Sequence, residues 1–510
     1  MDILIRDESK QMNYRLLFLF YFINCSLIAQ EITLQLRDSL SGEPIPFATV
    51  MTNFGENAIS NEEGLFRLNR EASFTPEDSL FISCMGFKPF GEAIQQLSDS
   101  LLLLSPKAIE LNAVILSQKN LSAAQVVKKA RERVKDKYDL SLTKKTFFLR
   151  ESFDQRWEQR DLKVKKATIK EFKQAFWDSL FKTIPMKDDW HTESYGELYG
   201  SWSEKQQKLV LKRAVELADT VNEKGYEQIE NKITTVLDEN VKENSYFKFK
   251  SGIFSTKVDR AEVIDQPKDS TQNALVQEKD EEEFPKEEAF YRGRRNRLKN
   301  LFSSLIKRDR MDLSVLNKSH LYDYEIVNFT YMEGTPVYII RFQPNGKKGK
   351  YKGMLYIEAD QYSLVQMDYE NVRSLRDFSL LGLSFNMHGK KTQLKFGRFE
   401  GGKYQLQYLN IETKFSTGIE RPVKILEKNK YVKGRRKQNE LSGKIDFKLE
   451  QKSNVTLVIF NSEKVSETAF EALKETKVFT PAKRDSYDPS FWEGYTIMEP
   501  NKAIKAFTAN

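Results

Sequence analysis

"GEPIPFATVMTNFGENAISNEEGLFRL", Gly42 to Leu68, decides how the first part of this chain reads. Pro44 and Pro46 lead into a run that sets Ala48 and Val50 on one side. An acidic corner, Asn61 to Gly64, then opens "GLFRL", with Phe66 and Leu68 on the side of Gly64 and Leu65 on the other. Period-2 alternation marks a half-buried strand. Proline donates nothing to a ladder and so precedes the strand. Gly64 is expected to supply a φ that other residues resist. Turns and core positions thus account for the stretch without an active site.

Outward from it the pattern repeats. "EITLQLRD" alternates Ile32, Leu34 and Leu36 with polar residues, and "SLFISCMGF" and "NAVILS" add further strands. Short strands at this spacing predict a small β-sandwich over residues 30–117. Cys84 lies inside one of these strands and reads as a structural thiol rather than a nucleophile.

Three blocks in order, Gly42, Pro44, Pro46, Ala48 and Val50, then Gly64, Phe66 and Leu68, then Gly86 and Phe87, resemble the carboxypeptidase regulatory-like domain. The family commonly has Thr-Asp or Thr-Asn before the corner, where this chain has Ser60-Asn61. The resemblance implies a seven-stranded transthyretin-like sandwich that is itself not catalytic. The family's name comes from a neighbouring peptidase, whose His-x-x-Glu ligands this chain lacks. The whole layout is similar to envelope proteins of Bacteroidetes-type bacteria, which share the helix "SAAQVVKKARERV" and the tail "FWEGYTIMEP". That likeness implies an exported protein in the periplasm or at the outer-membrane periphery of a Gram-negative bacterium.

The N-terminus fits that address. Arg15 precedes the apolar run "LLFLFYFINCSLIAQ", which has the length of a secretory signal and is short for a membrane span. Residues 1–29 are therefore expected to be a signal peptide, with Met12 as an alternative start. Asn24 before Cys25 argues against lipidation. With Cys25 removed, Cys84 would be alone and no intrachain disulfide would form. No later segment is apolar enough for a transmembrane helix.

The remainder predicts an α+β, mainly β chain of 510 residues in more than one domain. Ser122 and Gln125 form a capping-box pair, and Val126, Ala130 and Val134 follow at helical steps. Residues 118–257 are expected to be a helical, mixed part of a C-terminal domain, helical and charged from about 165 to 245. Ile229, Ile233, Val236 and Leu237 mark one helix face there. Residues 258–300, acidic from Glu278 to Glu288 and basic from Arg292 to Lys299, read as a solvated, disordered linker or loop. Residues 301–510 read as a large antiparallel sheet. It includes a hairpin around Gly334, a turn at Asp360, and Phe491 and Trp492 packed onto the sheet.

Chemistry is hard to find. The charge of +8 comes from 81 basic and 73 acidic residues, too small an excess to point to nucleic acid. His191, His320 and His388 show no metal-ligand spacing, and no nucleophile elbow or phosphate loop is present. No catalytic, cofactor-binding or metal residue is assigned, and no cofactor is expected. The reading is a non-catalytic envelope protein that binds a protein, glycan or lipid partner. An outer-membrane receptor or barrel component, and a hydrolase with scattered residues, are the alternatives.

Overall fold

A computed structural model of the protein describes residues 30–508, except 71–73, 98–99, 108–120, 203–206, 265–284, 308–309, 312, 400 and 435. The expected signal segment and the expected strand "NAVILS" therefore lie outside the described residues. The chain divides into two compact units. The first holds residues up to Lys107 together with Asp488–Asn501, and the second holds Ala108–Tyr487 with Lys502–Asn510.

The first unit contains β1 (Gln30–Asp38), β2 (Thr49–Thr52), β3 (Asn57–Ile59), β4 (Leu65–Arg70), β5 (Ser79–Ser83), β6 (Phe90–Ala93) and β7 (Leu101–Leu104). They form a three-stranded sheet, β4-β1-β7, and a four-stranded sheet, β3-β2-β5-β6. Inward residues alternate as the sequence dictates. Leu34, Leu36, Ala48, Val50, Phe66, Leu68, Leu80 and Ile82 are buried in one core, with Phe87 and Cys84 at its edge. Gly64 has φ +74°, and a Cβ there would lie 2.4 Å from the Leu36 carbonyl oxygen, so the turn demands glycine. Gly42 and Gly86 also have positive φ. Pro44 bridges to Arg37 just ahead of β2, and Ile45 and Pro46 lead on to Ala48.

Arg67 and Asn69 on the other side of β4 are buried as well, which alternation alone does not explain. The tail supplies the cover. Arg67 Nε lies 2.7 Å from Glu499 Oε1, and Asn61 Nδ2 donates to the Glu499 carbonyl at 3.2 Å. Thr496 also pairs with Glu56. The tail thus belongs to the first unit. This corrects the expectation that 301–510 is one β-rich part with Phe491 and Trp492 on its sheet. Buried Arg67 and Asn61 need polar partners, and the tail provides them. Trp492 is buried, with Phe491 5.0 Å away edge-on.

The second unit opens with α1 (Ala123–Glu132) and α2 (Val134–Lys137), followed by β8 (Thr143–Ala167), α3 (Gln174–Thr183), β9 (Lys187–Gly200) and β10 (Gln207–Ala218). Next come α4 (Thr220–Asn240), β11 (Ser245–Ser251), β12 (Phe254–Asp259), α5 (Arg260–Ile264) and α6 (Lys286–Leu305). The short β13 (Ile306–Lys307) and β14 (Arg310–Met311) precede α7 (Ser314–Asn317). Then follow β15 (Tyr322–Met332), β16 (Thr335–Pro344), β17 (Tyr351–Glu358), β18 (Leu364–Asn371), β19 (Arg376–Leu380), β20 (Leu383–Arg398), β21 (Tyr404–Asn429), β22 (Lys437–Lys464) and β23 (Ala482–Arg484). Among the described residues a fourteen-stranded sheet runs β15-β16-β17-β18-β20-β21-β22-β8-β9-β10-β23, with β19 on β20 and the β11–β12 hairpin on β21.

Local rules explain much of this. The capping box of Ser122 and Gln125 starts α1, whose Val126, Val127 and Ala130 are buried, as is Val134 in α2. Glu333 and Gly334, both with positive φ, make the two-residue turn of the β15–β16 hairpin. The corner at Asp360 is closed by the Tyr362 amide donating to the Glu358 carbonyl. Bulges in the β20, β21, β22 and β8 pairings bend these long strands.

Two expectations fail here. The charged stretch 165–245 is not mainly helical: β9 and β10 lie within it. Their charged side chains alternate with buried Thr192, Ser194, Leu209 and Leu217, a strand pattern that charge density hid. The stretch 258–300 is not a linker throughout. It holds α5 and most of α6, and only 265–284 is outside the described residues.

Candidate apolar site on the large sheet

Helix α6 shows why the basic run folds. Arg294 and Arg297 both reach the fully buried carboxylate of Glu151 on β8, Arg297 Nε at 2.6 Å. Arg295 lies 3.0 Å from Glu475, and Arg292 pairs with Glu288 one turn away. Burial holds the Arg294 guanidinium below its ordinary pKa, against the pull of Glu151. These arginines clamp a helix onto a sheet, and Phe302 adds an edge-on contact with Trp202.

The register identifies the sheet face that α6 covers. Glu151, Phe153, Gln155 and Trp157 on β8 oppose Val455, Ser453, Gln451 and Leu449 on β22. Those in turn oppose Ile411, Thr413, Phe415 and Thr417 on β21. Side chains two apart share a face. Trp190 opposes Phe153, and Phe385 opposes Thr417. Further along, Phe447 meets Phe181 of α3 at 5.6 Å. Beyond it an aromatic cluster holds Phe172, Phe176 and Trp177 with Ile233, Val236 and Leu237 of α4 and Phe247 and Phe249 of β11. One sheet face is therefore covered by α6 toward Glu151 and by α3 and α4 toward Phe447.

Between those covers lies a half-buried strip. It holds Phe153 stacked on Trp190 (4.9 Å, 15°), Phe385 tilted against Phe415 (5.7 Å), and Trp157 and Ile411. Thr413, Thr417, Ser453, Gln155 and Gln451 separate them, all uncharged. Charge appears only at the margins. Lys390 opposes Thr413 at one side, its ammonium pKa lowered by burial, and Asp188 opposes Gln155 at the other.

The opposite face of the same strands is charged. Lys414 and Lys452 pair with Glu412, and Lys187 pairs with Asp154 and Asp189. Lysine neighbours hold the Glu412 carboxyl low, against desolvation. Arg150 and Glu193 form a buried pair at 2.5 Å on this side.

The histidines lie on separate elements. His191 Nδ1 is 2.8 Å from Ser152 Oγ, its direct cross-strand partner, and its ring meets Phe507 edge-on. Burial, aided by Arg150, lowers the His191 pKa to about 4. His388 Nε2 lies 2.5 Å from Glu450, and the His320 carbonyl accepts from Asn345. Among the described residues, no group of three or more His, Cys, Asp or Glu is arranged to hold a metal. No described helix is long and apolar enough to cross a membrane.

The motif residues Gly42 to Phe87 all lie in the first unit, as turns and core. The strip residues were not singled out from the sequence. Their signal is present in "IETKFSTGIERPV", where Ile411, Phe415, Ile419 and Val423 alternate against charged and polar neighbours.

No protein family description matches the chain, and no curated protein matches it. Some solved structures are similar in part. A LolA superfamily protein from Nitrosomonas europaea is 7% identical over 68% of this chain and 94% of its own, with a TM-score of 0.17. A DUF1329 family protein from Desulfovibrio piger is 11% identical over 69% and 98%, with a TM-score of 0.20. A membrane-associated protein of unknown function from Bacteroides fragilis is 8% identical over 86% and 100%, with a TM-score of 0.12. Likenesses this distant decide neither the arrangement of the sheet nor its use.

Proposed function

We propose that this is an exported, non-catalytic envelope protein whose large sheet binds an apolar ligand with an anionic end. The observation that carries the reading is the uncharged, half-buried aromatic strip between α6 and the α3–α4 cluster. An antiparallel sheet buries its apolar face, so a strip of Phe and Trp left half-buried is read as a binding surface. Lys390 at its margin suits a carboxylate or phosphate at the ligand's end. The charged opposite face, with Lys414, Lys452 and Asp154, argues against strands that face lipid in a barrel. The first unit is read as a carboxypeptidase regulatory-like, transthyretin-like module. Its core is filled and its glycines serve turns, so it serves as a carrier module without chemistry of its own.

Two of the five tryptophans, Trp157 and Trp190, line the strip, which supplies the test. A brominated long-chain fatty acid quenches tryptophan on contact. Quenching should saturate in the protein, fall strongly in Phe415→Glu, and fall in proportion in Trp157→Phe with Trp190→Phe. Absence of saturable quenching below the micelle concentration of the probe would defeat the reading.

A further inference from the structure

We infer that two hairpin tips of the large sheet form a docking surface for an anionic lipid bilayer. Strand β21 pairs with β20 as far as Ile419 and resumes pairing on the same edge with β11 at Lys424. Pro422, which lacks an N–H, lies in the interval between. The β19–β20 hairpin turns at Leu381 and Gly382, and the β11–β12 hairpin turns at Gly252 and Ile253. Both turns converge on Arg421. Its guanidinium donates to the Ser251 carbonyl at 2.8 Å and stacks 4.9 Å from Phe254. A Cβ on Gly382 would come within 3.0 Å of its side chain.

The tips expose Ile253 (83%), Phe254 (54%), Phe378 (48%), Leu380 (56%) and Leu381 (53%). Single exposed apolar residues are ordinary, but five on two adjoining tips are not. The turn chemistry sharpens this. Leu381 has φ +52°, a left-handed conformation where hairpins prefer Asn, Asp or Gly. Leucine there is disfavoured by the backbone and by water alike. Ile253 fills a turn position that a small polar residue would suit. An outlier of this kind points to use, and a bilayer interior is the surroundings that would reward it. The exposed Lys250, Lys257 and Arg376 flank the tips, with Asp377 the exposed acid beside them and Glu420 already paired with Lys444. That basic excess selects anionic headgroups.

The test is flotation of the full chain with phosphatidylethanolamine–phosphatidylglycerol vesicles and with phosphatidylcholine vesicles. The protein should float with the first far more than with the second. Leu381→Asn and Ile253→Asn together should reduce binding by at least about tenfold, since several buried methylene groups are lost. Both changes suit their turns, so the unfolding temperature should hold or rise. Fatty-acid quenching at Trp157 and Trp190 should persist in the variant, which separates this surface from the strip. Equal flotation of variant and parent would overturn the assignment. So would a dimer that the variant dissociates without any vesicle binding, because the tips would then belong to a second copy.

Discussion

Removing the Glu499 carboxylate tests whether the C-terminal tail is part of the first unit's fold. Arg67 Nε and Glu499 Oε1 are 2.7 Å apart, with side chains only 8% and 2% exposed. Deleting one member of such a pair leaves an uncompensated buried charge and costs about 3–5 kcal/mol. For a unit of this size, that is a fall in Tm of about 12–40 °C. The full chain has two compact units, so calorimetry should resolve two transitions. Glu499→Leu should lower the one belonging to the sandwich and leave the other in place. Arg67→Met alone should do the same. The double variant, Arg67→Met with Glu499→Leu, should recover most of the loss, because an apolar pair needs no partner charge. If Glu499→Leu moves neither transition, or if the two single losses simply add, the pair is not what covers β4.

Further outcomes follow from the same physical arguments. Trp492→Ala should cost about 3–5 kcal/mol in the sandwich transition, measured by calorimetry, since the side chain is almost fully buried. Glu151→Gln should cost about 3 kcal/mol, the low end for a broken buried pair because Arg297 is partly exposed, and should speed amide exchange in α6. The His191 pKa is depressed in the fold to about 4, so the unfolded chain takes up its proton first. Stability should therefore decline as pH falls from about 6.5 to about 4, by up to roughly 3 kcal/mol, and His191→Gln should remove that slope from urea midpoints. Phe415→Ala should abolish most fatty-acid quenching while costing less than about 2 kcal/mol in urea unfolding, because the ring is only half-buried.

Much of the fold was legible wherever one residue type has one physical use. Gly64 was readable because only glycine tolerates both its φ and the Leu36 carbonyl beside it. The capping box at Ser122 and the Gly334 hairpin are local, and local rules fixed them. What escaped was set by distant partners. Arg294 and Arg297 look like a solvated basic run until Glu151, far away on β8, supplies their counter-charge. Glu499 looks like a tail residue until Arg67 is beside it. The strip escaped for a different reason. Its members, such as Phe153, Phe385 and Phe415, come from separate strands, and only the register lines them up.

The covers on the large sheet are held by different forces, and the difference bears on why the strip stays half-buried. At one side α6 is clamped by ion pairs to a single buried carboxylate, with Phe302 against Trp202. At the other, α3 and α4 adhere through an aromatic cluster. Closing the gap with a longer helix or larger side chains would remove apolar area from water at about 25 cal/mol per Å². Selection for stability alone would favour that closure, and the sequence instead places Thr, Ser and Gln between the rings. A surface that keeps its aromatics half-wet, and whose hairpin tips hold leucine where asparagine would fold better, departs from folding rules in two places with one chemistry. On the proposed reading, both departures are resolved by contact with an amphiphile. The strip would take a single chain and the tips a bilayer, so the two sites should respond to different mutations while sharing a preference for anionic lipid.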